Sequence, residues 1–233
     1  MKRITALFLV LFVLFASIAL ADDSDTLLKN DEYSYRILED GTISLKEYFG
    51  SSREVTVPAD IDEIPVTELD GTFFCKPIES VVVPEGITVI AENTFCGCTK
   101  LISVVLPATL TTVKRAAFGN CQSLTEMDLP VSLTTLQEYA FLNCVSLKKI
   151  CLYASLIEIE DNALYIVPDI NDYFKLVLPD ECVLYVEEGS IAEEYAKAHE
   201  PFLSGGLLPL SAGGLFGCER VFFACHHRYF LTM

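Results

Sequence analysis

Leu101-Ile102-Ser103-Val104-Val105-Leu106-Pro107, followed by Leu110-Thr111-Thr112-Val113 and Ala117-Phe118-Gly119, is the stretch whose reading decides the fold. Its first segment is β-branched and alternating, as expected of a half-buried strand. Pro107 closes it, because proline cannot donate to a strand ladder. Leu110 and Val113 form a second short extended piece, and Phe118 turns inward to fill the space between the two.

The same pattern recurs at a fixed step of 23 residues. Phe95, Phe118, Phe141 and Leu164 keep it, as do Ile78, Leu101, Leu124 and Leu147, and Pro84, Pro107 and Pro130. So do Ile87, Leu110, Leu133 and Leu156, then Ile90, Val113, Leu136 and Ile159, and finally Cys75, Cys98, Cys121 and Cys144. Columns sharing one register in this range, with Leu-x-x-Leu-x-Leu spacing, are the signature of a leucine-rich solenoid. Each coil leaves apolar rows open above and below, so its neighbours must cover them, and the column residues are core. The expected fold is a β-rich leucine-rich repeat solenoid of about five to six coils of 23 residues.

Irregular units flank the regular ones. Upstream, Val55-Thr56-Val57-Pro58 matches the strand-proline element and Pro65-Val66-Thr67-Glu68-Leu69 the second piece. Phe74 is placed in the phenylalanine column, in a coil about two residues short. Downstream, Leu176-Val177-Leu178-Pro179 arrives late, which implies an insertion near Pro168 to Tyr173. A solenoid needs caps at both ends. Tyr33, Tyr35 and Ile37 alternate, Asp40-Gly41 is a tight turn, and Ile43 and Leu45 alternate again, predicting an N-terminal β-hairpin cap. Ser190-Ile191-Ala192-Glu193 is a capping box opening a short helix, with Glu193 and Lys197 spaced for an i,i+4 pair. Ile191, Ala192 and Tyr195 are expected to press on the last coil, and Pro201 stops the helix.

With those elements on the page, the chain resembles the BspA-type leucine-rich repeat family over roughly residues 33 to 202. The resemblance rests on Leu-x-x-Val-x-Leu-Pro-x-x-Leu-Thr-x-Val followed by Ala-Phe-x-x-Cys. It rests also on Asp40-Gly41-Thr42, Ile64-Pro65-Val66-Thr67 and Glu188-Gly189-Ser190-Ile191-Ala192-Glu193-Glu194-Tyr195. It implies an exported or surface protein and an adhesive role toward host matrix or other microbes. The repeat motif itself fixes a fold and carries no ligand address.

The organisation read from the chain is a signal peptide at 1–21, a linker and hairpin cap at 22–54, repeats at 55–186, a helical cap at 187–202 and an atypical apolar tail at 203–233. Lys2 and Arg3 precede the uncharged run from Ala6 to Ile18, and Ala19-Leu20-Ala21 supplies a small-x-small cleavage site before Asp22. The run is too short for a membrane-spanning helix, so no transmembrane anchor is expected in the mature chain. The 233 residues carry 16 Lys+Arg against 33 Asp+Glu, a net charge of −17, and loss of Lys2 and Arg3 would take it to −19. An acid excess of that size excludes nucleic acid as a partner, because counterion release needs clustered Lys and Arg.

Candidate chemistry is sparse. The cysteine column reads as packed, reduced thiols, since in-register side chains point the same way and their Cβ atoms stay too far apart for a disulfide. Cys96 and Cys98 form a C-x-C pair without a second pair at zinc-site spacing, so neither metal nor cofactor is expected. His199, His226 and His227 are the only histidines, and Cys218 with Cys225-His226-His227 is the one cluster from which a thiol- or metal-dependent enzyme could be built. It has no evident groups to orient it. The tail holds a single acid, Glu219, and no Lys, and it is read as an extension foreign to the folded unit.

What remains is surface. With Leu101, Val104 and Leu106 inward, the outward positions are Ser80 and Val82, Ser103 and Val105, Glu126 and Asp128, and Lys149 and Cys151. On the second element the outward rows are Thr112, Thr135 and Glu158, and Lys114, Gln137 and Glu160. The functional expectation is an exported, non-enzymatic protein-binding or adhesion module whose partner is a protein or glycan of a matrix or microbial surface. The alternative is a self-associating cell-envelope scaffold. Mass spectrometry of the secreted product is expected to find Asp22 at its N-terminus, and a product still carrying Lys2 would refute cleavage after Ala21.

Overall fold

A computed structural model of the chain describes residues 26–160, 162–164, 183–186, 189–198, 208–209 and 220–223. Among them the chain winds as a β-solenoid of about five turns. The second extended piece of each coil builds one parallel sheet: β6 (Ile64–Leu69), β8 (Val89–Ile90), β10 (Thr112–Val113), β12 (Thr135–Leu136) and β14 (Glu158–Ile159). Its registers, Thr112 with Val89 and with Thr135, and Thr135 with Glu158, keep the repeat step. The first piece of each coil builds the opposite wall. There β4 (Glu54–Thr56), β7 (Ser80–Val82) and β9 (Ser103–Val105) form one sheet, and β11 (Glu126–Met127), β13 (Lys149–Leu152) and β15 (Val183–Val186) continue it as another.

The N-terminal cap is the expected hairpin, β2 (Tyr33–Ile37) antiparallel to β3 (Ile43–Tyr48), with β1 (Leu28–Lys29) added outside it. Asp40 Oδ1 accepts from the Thr42 amide at 2.9 Å and from its hydroxyl at 2.7 Å, while Gly41 takes a φ of 82° that only glycine adopts freely. β3 then pairs in parallel with β6, which seats the hairpin on the first coil. The extra residues of that coil form a second hairpin, β5 (Asp60–Ile61) with the start of β6, turned by Asp62 and Glu63 at positive φ of 53° and 67°. Two consecutive left-handed residues are what a two-residue hairpin turn requires, and the usual Asn-Gly signal is absent here.

Apolar side chains from both walls meet in one core. Its spine is a column of phenylalanines whose ring centroids step by 5.3 Å from Phe73 to Phe95, 5.0 Å to Phe118 and 5.3 Å to Phe141, each pair stacked with nearly parallel planes. Tyr48 and Tyr33 extend the column into the hairpin with tilted rings at 5.5 and 5.2 Å. This corrects the placement of Phe74. Phe73 is fully buried in the column, and Phe74 is 52% exposed.

The ladder of backbone hydrogen bonds shows why. Cys75 donates to Cys96 O as Gly97 does to Gly119 O and Asn120 to Leu142 O, so Cys75 shares a position with Gly97 and Asn120 rather than with Cys98. All three have positive φ. Phe73 and Ile78 are five residues apart where Phe95 and Leu101 are six, so the coil lacks one residue, and the 23-residue step from Cys75 to Cys98 is a coincidence of that deletion.

At the other end the helix α1 (Ile191–Ala198) closes the apolar column. The Ser190 hydroxyl accepts from the Glu193 amide at 3.1 Å, and the Glu193 carboxylate reaches back to the Gly189 amide at 2.9 Å and pairs with Lys197 at 3.1 Å. Ala192, Tyr195 and Ala196 are buried, with the Tyr195 hydroxyl accepting from the Leu164 amide at 3.5 Å. Ile191, expected inside, is 40% exposed, because the first helical residue points away from the coil it follows. Within the tail, β17 (Arg220–Phe223) runs antiparallel to β15 and carries β16 (Leu208–Pro209) outside it. The insertion near Pro168 to Tyr173 and the Leu176 to Pro179 strand lie outside the described residues.

Truncating a stacked ring leaves a cavity that the neighbouring coils cannot collapse into, whereas truncating an exposed one leaves none. Phe73→Ala is therefore expected to cost about 3–5 kcal/mol in urea denaturation and Phe74→Ala within about 0.5 kcal/mol. Equal losses would contradict the assignment.

Candidate functional site

The outward rows on the first wall come into register over β4, β7 and β9. Glu54, Ser80 and Ser103 face one another across β4, β7 and β9, and Thr56, Val82 and Val105 form the next row. Like positions on neighbouring strands stand about 4.8 Å apart, so each row is a continuous stripe. Val81 and Val104 are buried between the rows, while Val82 is 42% and Val105 57% exposed. Two β-branched apolar side chains thus lie side by side in water, flanked by two hydroxyls.

Further along, Glu126 stands opposite Lys149, and Lys149 Nζ reaches Asp128 at 3.2 Å. That bond to Asp128 holds the Lys149 ammonium above its ordinary pKa, so the lysine stays charged in neutral water. The acidic and basic ends of the face therefore offset one another locally. Cys151 does not belong to it: only 6% exposed, it is part of the buried wall of β13, a strand of which Lys149 alone is not buried. The exposed face consists of Ser80, Val82, Ser103, Val105, Glu126 and Asp128 with Lys149.

On the second wall much of the surface is already engaged. Thr111 and Thr134 hydroxyls donate to the carbonyls of Thr88 and Thr111, one coil back, at 3.2 and 3.1 Å. Lys114 spans two coils to reach Glu68 at 3.2 Å, and Gln137 and Glu160 accept from the amides of Arg115 and Glu138. These outward rows staple coils together, which leaves fewer free groups for a partner than on the first wall.

A shallow groove of about 330 Å³ crosses the turns between the walls, lined by Glu92, Asn93, Arg115, Ala116, Tyr139 and Leu142. The Arg115 guanidinium lies 5.8 Å from the Tyr139 ring centroid and 3.6 Å from Glu138. Asn93, Ala116 and Tyr139 all have positive φ, one per coil, and bend the chain there. Their spacing is visible in the sequence, but Ala and Tyr are not residues that announce a left-handed turn.

The cysteine column has a defined role. Cys98, Cys121 and Cys144 are fully buried, and their thiols donate to the carbonyls of Phe73, Phe95 and Phe118, one coil back, at 2.9, 3.2 and 3.1 Å. Burial pushes the Cys98 thiol up to about 12, and Cys121 is raised as well, first by its hydrogen bond with Cys144 and then by burial. Such thiols are poor nucleophiles and act as short donors that close the turn. Among the described residues no group of three His, Cys, Asp or Glu is placed to hold a metal ion, and no helix is long and apolar enough to cross a membrane. Cys218, Cys225, His199, His226 and His227 lie outside the described residues.

Comparison with known proteins places this geometry in context. Residues 69–176 match the model of the BspA type leucine rich repeat region in six copies. A leucine-rich repeat protein of T. pallidum is 23% identical, with a TM-score of 0.57 over 75% of this chain and 96% of that one, a likeness of fold. A leucine-rich repeat protein from Bacteroides capillosus is 28% identical over 47% of this chain and 86% of that one, with a TM-score of 0.44. A leucine rich cell surface protein from Faecalibacterium prausnitzii is 22% identical over 72% and 60%, with a TM-score of 0.43. No curated protein matches the chain.

The raised thiols carry a pH dependence. In the unfolded chain each ionises near its ordinary value of 9.0, whereas Cys98 in the fold stays protonated to about 12. Stability from this group is complete below pH 9 and falls between 9 and 12, by about 1.4 kcal/mol per pH unit within that window. Denaturation midpoints measured from pH 8 to 11 should fall, and the Cys98→Ala variant should show a shallower slope; an identical slope would remove the thiol from the account.

Proposed function

Because residues 69–176 match the BspA type leucine rich repeat region, we propose that this chain is an exported, non-enzymatic binding module that presents its first wall to a protein or glycan partner. The observation that carries the reading is the paired exposure of Val82 and Val105 between Ser80 and Ser103. Exposed β-branched pairs on a rigid sheet offer apolar contact without reorganisation, and the adjacent hydroxyls offer hydrogen bonds at fixed spacing. Glu126, Asp128 and Lys149 supply a charged rim that selects orientation and partner more than it adds affinity.

Several observations agree with this. The repeat supplies a continuous, pre-formed surface with no ordering cost in its strands. The buried thiols are committed to backbone carbonyls, which takes them out of covalent chemistry. The signal-like segment at residues 1–21 and the acid excess suit an exported protein that avoids nucleic acid. Adhesion to extracellular-matrix or microbial surfaces is the specific form of binding proposed.

The test is retention of the purified chain on immobilised extracellular-matrix proteins and on whole bacterial cells. Val82→Glu/Val105→Glu should lower retention at least about tenfold while leaving the circular dichroism spectrum unchanged, the size expected for losing a central apolar contact. Reversal of charge at Glu126 and Asp128 should weaken retention less and alter its salt dependence. Unchanged retention by both variants would remove this wall as the binding face.

A further inference from the structure

The thiols outside the buried column have a different geometry. Cys75 is exposed, Cys96 is half-buried, and they sit on successive coils. The Cys75 amide donates to the Cys96 carbonyl at 2.8 Å. Like positions on adjacent coils stand about 4.8 Å apart, and Cys96 is one residue before the like position of Cys75, so their Cα atoms lie about 6 Å apart, inside the window of roughly 4.4–6.8 Å that a disulfide spans. The Cys75 sulfur lies over Gly97, the residue that follows Cys96, where a Cβ would stand only 2.7 Å from it. Cys75 also occupies the coil that is one residue short, and holds a left-handed φ of 55° where the next coil has glycine.

We propose that Cys75 and Cys96 are an oxidisable pair that forms an inter-coil disulfide, tying the shortened first repeat to its neighbour, while Cys98, Cys121 and Cys144 stay as thiols. The buried three are held by their bonds to phenylalanine carbonyls and have no solvent access. The Cys96 sulfur is directed toward Gly119 on the following coil, so closing the bridge takes a rotation about its χ1. Cys75 is exposed where Cys96 is half-buried, so Cys75 meets the oxidant first.

The chemistry with oxidised glutathione balances in two exchanges. Cys75 loses its proton and attacks one glutathione sulfur, giving a mixed disulfide and one glutathione thiol. Cys96 then loses its proton and displaces the second glutathione, so the protein gives up two protons and two electrons and one glutathione disulfide becomes two thiols.

The experiment treats the full chain with oxidised glutathione, alkylates free thiols, and digests under non-reducing conditions with trypsin and a glutamate-specific protease. The expected product joins Leu69–Glu79 to Asn93–Lys100 through Cys75 and Cys96, with Cys98 alkylated and the pair two hydrogens lighter than its free peptides. Cys96→Ser should abolish the link and Cys98→Ser should leave it. Both Cys75 and Cys96 alkylated, Cys75 carrying glutathione alone, or Cys75 joined to Cys98 would each overturn the proposal, and the wild-type digest decides it even if a variant fails to fold.

Discussion

Offset stacking of Phe73, Phe95, Phe118 and Phe141 at steps of 5.0–5.3 Å is the constraint on which the remaining structure depends. In a close-packed core, parallel rings cannot change that offset without opening a void on one side. They therefore fix the register of every coil against the next, and the strands on both walls inherit it. The thiols one turn later can then reach the carbonyls of the phenylalanines below them, and threonines on the second wall can do the same. Side chains in this protein satisfy the backbone of the preceding coil more than their own, which is how two-residue strands remain paired.

How much of this the residues disclose depends on whether the feature repeats. Leu101, Leu110, Val113 and Phe118 recur at one step, and their burial follows from the step alone. The capping residues Ser190 and Glu193 are legible for a different reason, since their bonding is local. The first coil is harder to read because a deletion offers two alignments, one that counts back from Ile78 and one that counts forward from Phe73. Only the hydrogen bonds from Cys75 and Gly97 choose between them. Cys151 is misread for a related reason: strict alternation predicts it outside, but β13 is lined with buried residues at three successive positions after Lys149. The groove at Arg115 and Tyr139 depends on left-handed backbone at Ala116 and Tyr139, which residue type does not announce.

The charges acquire a distribution that the total of −17 conceals. Arg53 with Glu79, Lys76 with Glu47, Lys114 with Glu68, Arg115 with Glu138 and Lys149 with Asp128 each join residues of different coils. Exposed pairs of this kind contribute about 0–1 kcal/mol each, so they do not hold the solenoid together. Their effect is to occupy many of the few bases and leave the surplus carboxylates as the field a partner meets. A ligand approaching the Val82 and Val105 stripe therefore crosses a negative surround before reaching neutral ground.

The two ends of the first wall differ in a way that bears on polymerisation. Among the described residues β4 pairs only with β7, so its other edge has no strand beside it, although the Glu54 carbonyl already accepts from the Ser52 hydroxyl. The far end finishes on β16, a two-residue strand containing Pro209, which has no amide to offer. A filament needs two complementary open ends, one on each side of every subunit. Among the described residues of this wall, the open edge at β4 meets no open counterpart at β16, so end-to-end strand addition through it does not propagate.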